Sequence, residues 1–325
     1  MIIILLIIIL TAVLFIADFS QKKISWGVTF SQQYAKDELG LDWKKTYSAI
    51  LDDLKIDHIR LSAYWNHNEP FPKEYNFADL DWQINEASQR KVKIILAVGQ
   101  KLPRWPECHY PKWTISLDDN QKGEALLQFI NVVVSRYKDQ ENITAWQVEN
   151  EPFLELFGEC PPLDKNLLNR EIELVKKLSD KPIMITDSGE LSTWIPAAKT
   201  KTNILGTTLY RVVYNKTFGY FRWPLPASYY YIKSQIIKFF FKKERVIVAE
   251  LQAESWHKEN KNLSQMTLAE YFQSMSLNQF KSNIKYAQKA GFDEIYFWGA
   301  EWWYFMKENK NYPGYWDEAK KLWNR

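Results

Sequence analysis

Residues 144–152 read TAWQVENEP. A short run of β-formers stops abruptly on Glu149, Asn150, Glu151 and Pro152, the pattern of a buried strand that delivers carboxyl groups at its C-terminal end. Before it, Leu126, Phe129, Ile130, Val133 and Tyr137 recur at helical spacing, and after it Leu168, Ile172, Val175 and Leu178 do the same. A strand between two amphipathic helices is the repeating unit of a parallel sheet. The unit recurs in both directions. Strand-like runs begin near Ser25 (SWGVTF), His58 (HIRLSAYW), Val92 (VKIILAVG), Thr144, Pro182 (PIMITD), Asn203 (NILGTTLY), Arg245 (RVIVAE) and Glu294 (EIYFWG). Trp43, Tyr47, Ile50, Leu51 and Leu54 mark the helix between the first two. Eight units over about 300 residues predict an α/β protein with a (β/α)8 TIM barrel, one domain over residues 22–325. An open doubly wound sheet is the alternative, but the glycine-rich phosphate turn it needs is missing, since Gly27 is the one glycine in Trp26–Phe30.

The composition fits a folded chain and narrows its partners. Of 325 residues, 46% are hydrophobic and 25% charged, which excludes disorder and a multi-span membrane protein. The 42 basic and 39 acidic side chains leave +3 with no long basic run, so nucleic acid is not an expected partner. Aromatic residues make 16% of the chain, and that surplus calls for a use. Met1–Ala17 is apolar but for Thr11 and is followed by DFSQKK. Residues 1–21 therefore read as a hydrophobic membrane anchor or a signal segment: slightly short for a hydrocarbon core of about 30 Å, long for a signal h-region, and without a clear A-x-A site. A helix buried in the domain is the remaining reading. The lysines after the run would leave the body cytoplasmic, whereas the chemistry below favours an anchored or secreted protein with its catalytic domain outside the cytoplasm.

In a (β/α)8 barrel the chemistry gathers at the C-terminal strand ends. Glu151 follows the fourth strand and Glu250 ends the seventh, about three βα units apart, which sets them across one mouth. A single Glu after an apolar strand ordinarily starts a helix. Two facing carboxyls are what glycoside hydrolysis requires, one to protonate the leaving oxygen and one to attack or stabilise the oxocarbenium-like centre. The aromatic surplus answers a second need, because sugar rings have apolar faces that flat side chains cover. Trp65, Trp105, Trp113, Tyr210, Trp256, Trp298, Trp302 and Trp303 fall at or just after strand ends, and three or four of them are expected to line a site, the rest being packing.

The run WQVENEP (146–152), with Glu250 closing a later apolar strand, resembles the clan A, or four/seven, retaining glycoside hydrolases. Residues 59–107 are similar to the strand-two to strand-three region of the β-galactosidase and cellulase-like members, with E-P, Y-x-F, L-D and P-x-W in that order. The resemblance covers residues 24–325 and implies a retaining β-glycosidase that acts by double displacement on an oligo- or polysaccharide, as a monomer and without a cofactor. By carry-over Glu151 is the acid/base, Asn150 binds the sugar 2-hydroxyl, Glu250 is the nucleophile, Tyr210 orients it and Trp298 floors the site. Arg60 matches an arginine that supports the nucleophile, an ordinary ion pair inside the barrel being the plainer reading. Trp65, Trp105 and Gln100 complete the expected substrate contacts. Gln100 stands where a histidine is often found, and Leu251–Glu254 replaces a common Phe-Gly, so the sugar and linkage stay open. Glu254 is a rival nucleophile, better read as a loop residue, and Glu149 is expected in an internal salt bridge. His67, His109 and His257 lack ligand spacing, so no catalytic metal is expected.

Three readings remain. A membrane-tethered glycan-binding barrel without turnover is the alternative function, and both carboxylates argue against it. Residues 218–243 alternate aromatics with Lys233, Lys238, Lys242 and Lys243; they read either as a helix lying in a membrane interface or as the sixth barrel helix with an aromatic subsite loop. Cys108 and Cys160 follow neighbouring strands, which allows a disulfide and equally two free thiols.

Overall fold

The computed structural model describes residues 17–21, 23–256 and 263–323 and puts a parallel strand in each of the eight expected runs. These are β1 (Ser25–Thr29), β2 (His58–Ser62), β3 (Lys93–Val98), β4 (Ile143–Val148), β5 (Ile183–Asp187) and β6 (Ile204–Leu209), then, after a hairpin of β7 (Val212–Asn215) and β8 (Gly219–Arg222), β9 (Arg245–Gln252) and β10 (Glu294–Trp298). The eight long strands close into a barrel in the order β1–β10–β9–β6–β5–β4–β3–β2. Every residue of β2, β5 and β6 is buried, because each strand faces the lumen on one side and the helices on the other.

The helical spacings in the sequence mark the inward faces of the outer ring. In α1 (Trp43–Asp52) Tyr47, Ile50 and Leu51 are buried, and in α2 (Ala78–Gln89) Leu80, Ile84 and Ala87. In α3 (Asp119–Tyr137) and α4 (Lys165–Leu178) the predicted apolar positions point at the barrel, save Leu178, which is half-buried. Asp42, Asp118 and Asp164 accept backbone N–H bonds at the first turns and fix where these helices start. The ring continues with α5 (Ala227–Phe241), α6 (Leu277–Lys289), α7 (Ala300–Asn309) and α8 (Gly314–Lys320). Inside the barrel, Ile95, Ala145, Met184, Ile204, Ile247, Ala249 and Tyr296 form a plug separate from the main core, so the lumen is filled up to the layer where polar groups begin.

Of the two readings of residues 218–243, the sixth barrel helix with an aromatic loop has the observed element order: Phe218 sits at the hairpin turn, Tyr220 and Phe221 belong to β8, and the helix starts only at Ala227. The cause is Pro224 and Pro226, which deny backbone donors to a helix crossing them. Residues 1–16 of the apolar N-terminal run, with Lys22 and His257, lie outside the described residues. Among the described residues no helix is long and apolar enough to cross a membrane.

Candidate active site

Glu250 reaches the mouth because β9 is irregular. Thr207 of β6 pairs with Val248 and the next residue, Thr208, with Glu250; on the other side Ile295 pairs with Val248 and Phe297 with Leu251. One extra residue at Ala249–Glu250 therefore breaks the two-residue alternation that would have pointed Glu250 at the helices. Once turned inward, each carboxylate oxygen has a donor. Arg60 Nη1 donates to Oε1 at 2.9 Å and the Tyr210 hydroxyl to Oε2 at 3.1 Å.

Arg60, on β2 and fully buried, organises the floor. Its Nε donates to Gln147 Oε1 at 2.7 Å and its Nη2 to Asn150 Oδ1 at 2.6 Å. Gln147 Nε2 and the Thr186 hydroxyl also donate to Asn150 Oδ1, at 3.2 and 3.1 Å. All three contacts fall on the oxygen, so the Asn150 NH2 group remains for a ligand.

Glu151 is presented by strained backbone. Glu149 and Glu151 have φ of 57° and 44°, left-handed values costing roughly 1–2 kcal/mol each in a residue with a side chain. Side-chain bonds hold them there. Thr186 Oγ1 accepts the Glu151 N–H at 2.8 Å, and Lys101 Nζ donates to the Glu151 and Leu154 carbonyls at 3.1 and 2.7 Å. The Glu149 carboxylate accepts the N–H groups of Gln100 and Lys101, both at 2.7 Å. It lies so close to Gly99 that a Cβ there would meet its Oε1 at 2.3 Å. Its other neighbour is the buried carboxyl of Glu171, whose proton affinity is pushed well up by burial and then by the Glu149 charge. The expected salt bridge of Glu149 is thus corrected to a carboxyl pair that clamps the loop after β3.

The Glu151 side chain is buried, and its Oε1 has no hydrogen-bond partner. Burial first, then the charges of Glu250 and Glu107, hold its pKa well above the usual carboxylate range. Glu107 escaped the sequence reading. It lies in the loop after β3, 3.5 Å from Lys101 Nζ, and burial pushes its pKa up to about 7 against the pull of Lys101 and with help from Glu250. Beside it the Cys108–Cys160 disulfide, Cα atoms 5.3 Å apart, ties this loop to the one after β4, which closes the alternative of two free thiols.

Aromatic residues divide between rim and core. Tyr210 meets the edge of Trp256 at 5.5 Å, and Trp256 meets Phe157 at 5.8 Å, a wall beside Glu250. Trp105 is 66% exposed on the β3 loop. Trp298, half-buried at the end of β10, carries the Arg104 guanidinium 4.1 Å above its ring; Tyr34 stacks on the same guanidinium at 3.6 Å, and Arg104 pairs with Glu254 at 2.5 Å and Glu301 at 3.1 Å. Glu254, the rival nucleophile, is therefore engaged by a cation and by the Tyr34 hydroxyl. Gly299 permits this, since a Cβ there would meet the Glu254 Cβ at 2.5 Å. Gln100 is half-buried, its Oε1 accepting from the Tyr110 hydroxyl at 2.8 Å. Trp65 is a correction. With 0% exposure it packs on Phe129 and Trp113 and donates to Glu69 at 2.7 Å, so it belongs to the core between barrel and α3. Trp302 and Trp303 are likewise core, because α7 turns them inward. Among the described residues no cluster of His, Cys, Asp or Glu could hold a metal ion.

A search of protein-family models finds none that matches this sequence. The fold itself is widely shared. GH5_18 from Streptomyces cattleya, solved with GlcNAc, superposes with a TM-score of 0.61 at 12% identity, over 86% of this chain and 71% of that one. Xylanase 10B from Thermotoga petrophila, solved with xylobiose, gives 0.58 at 12%, over 85% and 82%. A β-galactosidase from the Antarctic haloarchaeon Halorubrum lacusprofundi gives 0.57 at 12%, over 84% and 52%. At such identities the common ground is the (β/α)8 barrel, the architecture of these glycoside hydrolases.

Proposed function

We propose that the protein is a retaining β-glycosidase acting on an oligo- or polysaccharide, with Glu250 as nucleophile and Glu151 as acid/base. One observation carries the reading: a carboxylate with a donor on each oxygen shares a buried mouth with a second carboxyl that has an unpartnered oxygen and a raised proton affinity. These are the unequal environments that a nucleophile and a general acid need. Glu250 attacks the anomeric carbon while Glu151 gives its proton to the departing glycosidic oxygen. Glu151, now a carboxylate, takes a proton from water, whose oxygen displaces Glu250 from the anomeric carbon. Asn150 offers its NH2 group to a sugar hydroxyl, and Tyr210, Trp256, Trp298 and Trp105 supply ring surfaces. The likeness in fold to solved glycoside hydrolases supports the same class of substrate, and the disulfide supports an oxidising, extracytoplasmic compartment.

The test is a pair of substitutions assayed on aryl β-glycosides and on polysaccharides. Glu250→Gln should reduce turnover to background on all of them. Glu151→Gln should lose about 10²–10⁴-fold on unactivated glycans, yet release a burst of aryl alcohol from substrates with good leaving groups before deglycosylation stalls. Near-normal turnover of an unactivated glycan by either variant would mean that other residues do the chemistry.

A further inference from the structure

The helix α5 has two apolar faces where a barrel helix needs one. Tyr230, Ser234 and Ile237 face the barrel, while Ile232, Ile236, Phe239 and Phe240 form a second stripe on the outside; Phe239 and Phe240 are 68% and 69% exposed. Apolar side chains at successive turns in water call for a covering surface. Exposed lysines accompany the stripe, Lys238 on α5 and Lys242 at its C-terminal cap, with Lys242 Nζ 5.2 Å over the Phe239 ring, and Lys285 and Lys289 are exposed on α6, which packs against α5.

We propose that this stripe docks on an anionic lipid bilayer, laying the amino-terminal end of the barrel on the membrane with the candidate active site facing away. Continuity of the chain identifies the occupant. The apolar run Met1–Ala17 leads directly to Phe19, whose ring stacks on Tyr231 of α5 at 4.0 Å and whose N–H bonds to the Lys289 carbonyl at 3.2 Å. An apolar sequence thus joins the domain on the very helix that carries the stripe. A few large apolar groups flanked by lysines suit an interfacial helix, whereas a standard protein interface takes about 800 Å² from each partner. The orientation follows from the topology. Phe239 and Phe240 end α5 just before Arg245 opens β9, and Glu250 lies five residues further along that strand, roughly 16 Å toward the opposite pole.

The full-length chain, reconstituted into phosphatidylcholine–phosphatidylglycerol vesicles with nitroxide quenchers on the acyl chains, decides the matter. A fluorophore on Ile236→Cys should be quenched several-fold more than one on Phe218→Cys, which sits on the exposed hairpin at the opposite pole. The excess should vanish when Phe239→Ser and Phe240→Ser are added to a variant that keeps its native circular dichroism. Equal quenching at the two positions would overturn the proposal. So would a probe at 236 that is shielded from aqueous iodide but untouched by lipid quenchers in a protein that sediments as a dimer, because a second copy would then cover the stripe. Glycoside turnover plays no part in this readout.

Discussion

At the scale of single residues, Glu107 is the group whose effect on the site is best separated from binding. It is buried 3.5 Å from Lys101, within electrostatic reach of both Glu151 and Glu250, and titrates at about 7. As it ionises, its charge raises the proton affinity of Glu151. Glu107→Gln removes that charge, so Glu151 should lose its proton at lower pH. The alkaline limb of the kcat/KM profile should move toward acid, while the rate at pH 5, where Glu107 is already neutral, changes little. An unmoved limb in a full pH–rate profile would show that Glu107 does not act on the acid. The loop RWPE (104–107) holds this residue next to the P-x-W element that the sequence does display, yet nothing in the spacing marks Glu107 as inward-facing. Its burial depends on the β3 loop being tied down by the disulfide and by the N–H bonds that Glu149 accepts.

Between elements, the ends of β3, β9 and β10 are joined through Arg104. Its guanidinium pairs with Glu254 and Glu301 and lies between the rings of Tyr34 and Trp298. Both carboxylates are nearly or fully buried, so the cation offsets two desolvation costs at once. Arg104→Met leaves two uncompensated carboxylates, and the variant should unfold at lower urea concentration, by about 3–5 kcal/mol of stability. A loss below 1 kcal/mol would mean that water reaches the cluster. The same variant frees one face of Trp298, which gives a second readout: altered KM for glycans against wild type. The β9 bulge belongs to this scale too. The alternation in RVIVAE (245–250) puts Ile247 and Ala249 inside and, continued regularly, would place Glu250 outside; only the pairing of β9 with β6 and β10 shows the extra residue.

For the whole molecule, buried carboxyls set the response to pH. Burial raises the proton affinity of Glu107, Glu149, Glu151, Glu171, Asp187, Glu190 and Glu301. Each binds its proton more tightly when folded than when unfolded, so stability falls as pH climbs from the unfolded carboxylate value near 4 through the folded value. Asp52 and Asp53, lowered by hydrogen bonds from Arg90 and Lys320, act only below that window. Burial pushes His109 down to about 4, so this one imidazole opposes the seven carboxyls up to the free value near 6.5, and Lys233 and Lys243, pushed down to about 8 by burial, oppose them only from there upward. The unfolding temperature should therefore fall between pH 5 and pH 8. Glu107→Gln should remove part of the slope, up to about 3 kcal/mol at pH 8 and almost nothing at pH 4. A flat profile from pH 5 to 8 would show that these groups are hydrated.

The architecture depends on local periodicity and was legible in the chain before any contact was known. Eight apolar runs separated by amphipathic stretches specify the barrel, because a strand buried on both sides and a helix buried on one leave different repeats in the chain. Glu151 and Glu250 stand out by their place at the ends of the fourth and seventh runs, although the alternation in the seventh would by itself turn Glu250 toward the helices. Which side chains face the mouth is settled later, by loops and bulges that redirect them once the strands are in place. Trp65 follows a strand end, as Tyr210 does, yet one packs into the core and the other bonds Glu250. Glu149 found a carboxyl instead of a cation, and Glu107 and Arg104 came in from a loop without periodicity. These outcomes rest on contacts between residues up to 197 positions apart, as for Arg104 and Glu301, and short-range pattern carries no information about partners at that distance.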